Sequence, residues 1–305
     1  MTISSILAKS PIESVYVHGH QVFIKRDDLL NHHFSGNKAR KLAYFLDNDF
    51  PGITRLMGYG SVQANSLYSL AALAHLKGWQ LDFYVNRIPI WLKDNPLGNY
   101  RGAMALGANI VEVGSKLAGF DGNLDDYMHQ KSEKLPKSTL FVPEGGRSDL
   151  ARHGIKYLAD EIKEFCTKHI IDKPVIMLPS GTGTTALFLQ YYLPYRVLTC
   201  ACVGDDHYLK KQFKELSQDE NDWPEILTAE KTYHFGKLYP EFYQLWRDLT
   251  DQTGIEFDLL YDPMGWMTLL NYLKQNKETN NIIYIHQGGL MGNESMIPRY
   301  QRTYG

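Results

Sequence analysis

Short apolar runs rich in valine, isoleucine and leucine alternate with helical patterns along the 305-residue chain, and this alternation limits the possible folds more than any other feature. Candidate strands are Val15–Val17, Val22–Lys25, Arg55–Met57, Leu81–Val85, Asn109–Val113, Leu140–Val142, Val175–Leu178, Val197–Val203 and Ile282–Ile285. Helical spacing fills intervals between them at Asn65–Leu76, Asn99–Leu106, Gly154–Lys168 and Thr185–Tyr192. Parallel strands need long crossovers, which helices supply, so this order predicts an α/β fold of open, largely parallel twisted sheets flanked by helices. The length allows two domains, and turns at Asn48–Gly52 and Pro143–Arg147 offer crossing points. The expected division is a smaller α/β domain over residues 51–154 inserted into a larger one made of 1–50 and 155–305.

Composition narrows the partners. A net charge of −2 leaves no basic footprint for nucleic acid or for an anionic membrane. No stretch approaches the ~18–20 uninterrupted apolar residues of a transmembrane helix. Met1 to Ser5 lacks the basic-then-apolar order of a signal peptide, so a cytoplasmic location is expected. The three cysteines agree: Cys200 and Cys202 share one face of a candidate strand and Cys166 sits alone on a helix, as small buried hydrophobes do. His18, His20, His32 and His33 have no carboxylate or cysteine at metal-ligand spacing, so no metal is expected. No Gly-x-Ser-x-Gly elbow is present for a hydrolase triad.

One octet carries candidate chemistry: Ser35-Gly36-Asn37-Lys38-Ala39-Arg40-Lys41-Leu42. Ala39, Leu42, Phe45 and Leu46 recur at helical spacing, with Asn37 as the expected N-cap, which puts the Lys38 amine in a first turn. The positive end of a helix dipole disfavours an ammonium there and lowers its pKa, as a Schiff-base lysine requires. A plain basic surface helix, with Lys38, Arg40 and Lys41 all solvated, explains the octet equally well.

Three glycine turns follow strand-like runs. Ser180-Gly181-Thr182-Gly183-Thr184-Thr185 lies between the strand Val175–Leu178 and a helix, where backbone N–H groups and threonine hydroxyls cradle an anion. No Gly-Lys-Ser/Thr follows, so it is not a Walker A loop. Read as Gly-x-Gly-x-x-Ala, with Asp205 after the next strand, it also suits a dinucleotide-dependent oxidoreductase. The other turns are Gly60–Ser66 and His286-Gln287-Gly288-Gly289. Ligands of open α/β sheets bind at the carboxyl ends of strands, so all three turns are candidates to line one crevice.

Taken together, Lys25-Arg26-Asp27-Asp28-Leu29, the octet, Gly60–Ser66, Gly107-Ala108-Asn109-Ile110, Pro143-Glu144-Gly145-Gly146-Arg147, Gly181–Thr185, Leu260-Tyr261 and Ile285–Gly289 resemble the 1-aminocyclopropane-1-carboxylate (ACC) deaminase and D-cysteine desulfhydrase family. That resemblance implies a tryptophan-synthase β-like fold, pyridoxal 5'-phosphate (PLP) as cofactor, and a deaminase or lyase (in ACC ring opening a hydrolase) that releases ammonia and a keto acid from a small amino acid. It favours a homodimer. It also implies Lys38 as the PLP Schiff-base lysine, Gly181, Thr182, Gly183, Thr184 and Thr185 as the phosphate loop, and Asn65 at the ring's 3-oxygen. Tyr261 would stand at the substrate as a catalytic residue. Asp262 or Gln287 would face the pyridine nitrogen, and Gln63, Ala64 and Ser66 would stand at the substrate wall.

Two departures qualify the substrate. Gln63-Ala64-Asn65-Ser66 stands where the family reads Gln-Ser-Asn-His, so Ala64 brings no hydroxyl for ring opening, and Ser66, two positions on, is expected to face elsewhere. Arg147 replaces the usual serine of Gly-Gly-Ser. A protein that binds PLP or an amino acid without efficient turnover is therefore a competing expectation.

Overall fold

The computed structural model describes residues 7, 9–34, 36–114, 122–276 and 281–305; Ser35 of the octet lies outside the described residues. In chain order the strands are β1 (Ile12–Val17), β2 (His20–Arg26), β3 (Arg55–Tyr59), β4 (Gln80–Val85), β5 (Asn109–Glu112), β6 (Thr139–Phe141), β7 (Val175–Ser180), β8 (Arg196–Ala201), β9 (Glu225–Ile226) and β10 (Ile282–His286). The helices that matter here are α1 (Gly36–Asp47), α2 (Asn65–Lys77), α3 (Gly98–Ala105), α4 (Ala151–Lys168), α5 (Thr184–Tyr192), α6 (Asp206–Leu216), α7 (Asp262–Gln275) and α8 (Asn293–Tyr304). No helix among the described residues is long and apolar enough to cross a membrane.

The strands form two sheets. The larger has six strands in the order β1-β2-β10-β7-β8-β9, and the smaller has four in the order β5-β4-β3-β6. Every pairing is parallel except that of β1 with β2. The exception follows from the turn His18-Gly19, where both residues have positive φ (47° and 83°) and so close a two-residue hairpin. β7 and β10 are buried along their whole length, as strands covered on both faces by crossover helices must be.

α1 lies between the two sheets. Leu42, Phe45 and Leu46 join the small-sheet core with Leu67, Leu70 and Leu73 of α2 and Leu56 of β3. Each such side chain contributes roughly 1.5–3 kcal/mol on burial. Its other flank packs on α4, whose Ile155, Leu158 and Ile162 belong to the large-sheet core. The helix starts two residues earlier than a cap at Asn37 requires, at Gly36 (φ 66°), which presses against the loop after β10. A Cβ there would lie 1.9 Å from the Gln287 carbonyl oxygen. Asn37 is therefore not a cap. Its backbone N–H donates to the Gln287 carbonyl at 3.1 Å and its amide donates to Gln287 Oε1 at 2.8 Å, tying α1 to β10.

The solvated basic helix is overturned. Arg40 and Lys41 are each only 3% exposed. Arg40 clasps Asp27 and Glu161, and Lys25 reaches Glu161 and the Ser10 carbonyl, both at 2.5 Å.

Candidate active site

The carboxyl ends of β7 and β10 open onto a crevice between the sheets. The large-sheet side supplies Lys38 and Lys41 from α1, the β7–α5 loop from Pro179 to Thr185, and Gln287 and Gly288 after β10. Ala64, Asn65 and Ser66 at the head of α2, with Glu144 and Gly145 after β6, supply the facing wall, while Tyr208, Asp258 and Tyr261 also line the crevice.

Lys38 is partly buried, and burial is the main reason its amine is held below the ordinary lysine pKa. A hydrogen bond with the Lys41 amine and the Glu144 charge oppose that shift only partly. Burial, followed by the charge of Lys38, pushes Lys41 further down, so Lys41 is the neutral partner that accepts from Lys38. The low proton affinity expected from the helix dipole is thus present, and its principal cause is desolvation.

Ser180, Thr184 and Thr185 of the β7–α5 loop are buried. Thr182 Oγ1 and Thr184 Oγ1 are 3.1 Å apart, and Thr185 Oγ1 is buried with no hydrogen-bond partner. The first N–H groups of α5 have no helical acceptor. Gly183 holds the turn with φ 70°, and a Cβ there would meet Phe213 Cε1 at 2.3 Å and Leu209 Cδ1 at 2.6 Å. Replacing Gly183 with alanine is expected to destabilise the fold by ~1–3 kcal/mol through backbone strain and overpacking, and to weaken anion binding at the loop. Thermal melts with and without phosphate measure both effects.

Asn65 Oδ1 accepts from Asn99 Nδ2 of α3 at 2.8 Å, which fixes the Asn65 amide. Ser66 lines the crevice, contrary to the expectation that it faces elsewhere: α2 begins at Asn65, and first-turn residues ring the helix end. Gln63 points instead toward Trp91, Leu97 and Pro298 in a separate groove. Asp262 is also displaced. It sits in the first turn of α7, accepts from the Tyr284 hydroxyl at 2.7 Å and the Asp258 N–H at 3.0 Å, and does not line the crevice. Burial, then the Asp258 charge, raises its carboxyl well above the ordinary range. Both ends of the Gln287 amide are engaged, since Nε2 donates to the Pro179 carbonyl at 2.5 Å while Oε1 receives Asn37, so Gln287 forms a fixed wall.

Asp258 was not singled out in the sequence. Its Oδ1 accepts from the N–H groups of Leu260 and Tyr261, each at 2.7 Å, and holds Tyr261 in the crevice. The Tyr261 ring stands over Gly181, where an added Cβ would lie 3.4 Å from Cε1. Asp205, the acid that a dinucleotide would require, caps α6 by accepting from the Tyr208 N–H at 2.8 Å and is not part of this crevice. Cys200, Cys202 and Cys166 are buried, and among the described residues no group of three or more His, Cys, Asp or Glu gathers as a metal would need.

No family model matches the chain. It is 24% identical over 288 residues to a Thermotoga maritima protein provisionally named a 1-aminocyclopropane-1-carboxylate deaminase, with 90% of each chain covered. It is 23% identical to the bifunctional D-cysteine desulfhydrase/1-aminocyclopropane-1-carboxylate deaminase, mitochondrial, of Arabidopsis thaliana, covering 90% of this chain and 73% of the relative. The crystal structure of an ACC deaminase homologue superposes with a TM-score of 0.76 at 22% identity, covering 97% and 94% of the two chains.

Proposed function

We propose that the chain is a member of the ACC deaminase and D-cysteine desulfhydrase family of PLP enzymes with the tryptophan-synthase β-like fold, and that it releases ammonia and a keto acid from a small amino acid. One observation carries the reading: an amine of depressed proton affinity, Lys38, meets the Gly181–Thr185 anion cradle in a single crevice. The residues present fit PLP. The unpartnered Thr185 hydroxyl and the free N–H groups of the α5 terminus suit a phosphate, and Lys41 adds a second amine to the lining. In this reading Gly181, Thr182, Gly183, Thr184 and Thr185 hold the phosphate, Lys38 the aldehyde carbon and Asn65 a ring oxygen. Bound PLP supplies an electron sink that weakens the α-C–H bond of an amino acid.

The protein's part is to move protons and fix geometry. Burial keeps the Lys38 amine neutral at lower pH than a free lysine, which suits it to accept the proton from the substrate's α-carbon. Tyr261 has the opposite bias. Burial, then the Asp258 charge, raises its phenol well above the ordinary value, so it keeps its proton and donates to the departing group. Replacing Tyr261 with phenylalanine is expected to lower kcat on the order of 10²-fold with KM little changed, as steady-state keto acid formation will show. Ala64 offers no hydroxyl, which favours loss of a β-substituent over opening of a cyclopropane ring, and Ser66 is the nearest hydroxyl of the α2 head in the lining.

The same reading expects a homodimer in the cytoplasm, with lobes at 1–50 plus 155–305 and at 51–154. Incubation with PLP, followed by visible spectroscopy and assay of keto acid and ammonia from D- and L-cysteine, D-serine and ACC, tests it. A visible band with release of both products supports an enzyme. A visible band with no turnover of any amino acid supports the binding protein that Ala64 would suit, and a protein that PLP leaves colourless sinks the proposal.

A further inference from the structure

Glu144 is a carboxylate in the crevice to which the chemistry above gives no task. It enters on the turn after β6 of the small sheet, facing the large-sheet residues that include Lys38. Among the described residues its side chain has neither a hydrogen bond nor an ion pair. Arg147, three residues on, is turned away to Gln212 and, at 3.0 Å, to Glu215. Glu144 still lies close enough for its charge to act on Lys38, Tyr208 and Tyr261. Burial, then the charge of Asp125, which the Tyr59 hydroxyl bonds, raises the Glu144 carboxyl above its ordinary value, while the charges of Arg147 and Lys38 oppose that shift and favour the carboxylate. The next residue, Gly145, rests against the cradle, where an added Cβ would come within 3.0 Å of Thr182 Cγ2.

An unpaired carboxylate on the wall of a half-enclosed site repels an anionic side chain, gains nothing from a neutral one and attracts a cation. We propose that Glu144 is a specificity residue, and that the favoured substrate carries a second, cationic nitrogen on a short side chain, as 2,3-diaminopropionate does. This rests on the PLP reading.

The chemistry balances with water alone. Lys38 takes the α-proton, the Cβ–N bond of the side-chain ammonium breaks with its electron pair leaving on nitrogen, and that nitrogen departs as ammonia with the three protons it already carries, while the α-proton is returned to Cβ. Water then replaces the α-nitrogen, so one diamino acid and one water give one keto acid and two ammonia. D-Serine or D-cysteine gives one ammonia per keto acid.

The test uses PLP-loaded protein with both enantiomers of 2,3-diaminopropionate, set against D-serine and D-cysteine. Wild type should prefer the diamino acid and release two ammonia per keto acid. E144Q should lower the ratio of kcat/KM for diamino over neutral substrate by about tenfold or more, while Glu144→Asp, which keeps the charge, should largely retain it. Half-saturation in a visible-spectrum titration, which requires binding but not turnover, should shift in parallel. If neutral amino acids are consumed with a ratio indifferent to Glu144, or the diamino acid does not bind, this proposal falls and the PLP reading stands. A protein that neither binds PLP nor consumes any of these amino acids ends both.

Discussion

Lys38→Ala is expected to lose the borohydride-reducible visible band that PLP gives the wild type, and at least about 10³-fold of turnover, while remaining folded. The fold should survive because the truncated group is an amine whose burial disfavours its own charge, and removing it takes away a penalty of desolvation rather than a support. The cradle from Gly181 to Thr185 is untouched, so PLP should still bind, now without a covalent link and removable by dialysis. The sharpest outcome concerns Lys41. In the wild type the Lys38 charge is one of the forces that depress the Lys41 amine, so the substitution should raise its pKa and make Lys41 a poorer nucleophile. A reducible band that persists in Lys38→Ala, and vanishes only when Lys41 is also replaced, would transfer the cofactor-bearing role to Lys41 and overturn the assignment made here.

Much of this site is legible in the sequence, because its parts follow strands at fixed positions. The crossover pattern leads to parallel sheets, and parallel sheets to a crevice at strand carboxyl ends that the Gly181–Thr185 turn lines. What the sequence hides depends on partners far along the chain. Arg40 and Lys41 read as solvated because nothing nearby opposes their charge, whereas the acids that bury Arg40 lie 13 and 121 residues away. Asp262 follows Tyr261 and is expected to face the pyridine nitrogen, yet the start of α7 turns its carboxylate to Tyr284, and Asp258 is the acid that lines the crevice. Ser66 shows the reverse error: spacing along an extended turn puts it away from Ala64, but a helix starting at Asn65 brings it back. The glycine loop is ambiguous in sequence and becomes less so once Asp205 is seen capping α6.

The group that holds Lys38 in place should be visible in stability. Arg40, half a turn beyond Lys38, donates to Asp27 Oδ1 at 2.8 Å and to Glu161 Oε1 at 2.8 Å, while Lys25 joins Glu161 at 2.5 Å and Ser10 Oγ donates to Asp27 at 2.6 Å. All but Glu161 are almost wholly buried. Two cations and two carboxylates satisfy one another there, and removing one leaves buried charge without a counter-ion. Replacing Arg40 with methionine is therefore expected to destabilise the protein by ~3–5 kcal/mol, a fall of roughly 5–15 °C in Tm, whereas apolar replacement of the whole group should be far milder. The pH dependence follows from Asp27. Burial alone would raise its carboxyl, but the Arg40 guanidinium, by charge and by hydrogen bond, together with the Lys25 charge and the Ser10 hydroxyl, outweighs burial and holds it below the usual range. A carboxyl lowered on folding stabilises the native state above its unfolded pKa of about 3.9, and that contribution disappears as pH falls through the lower folded value. Wild type should thus lose stability steeply below about pH 4, and Arg40→Met should lose less over the same interval because its Asp27 no longer has the charge that lowered it. Melting curves of both proteins between pH 3 and 7 decide the matter: parallel curves, or a difference under ~1 kcal/mol at neutral pH, would mean that α1 is held by its apolar contacts and not by this charge network.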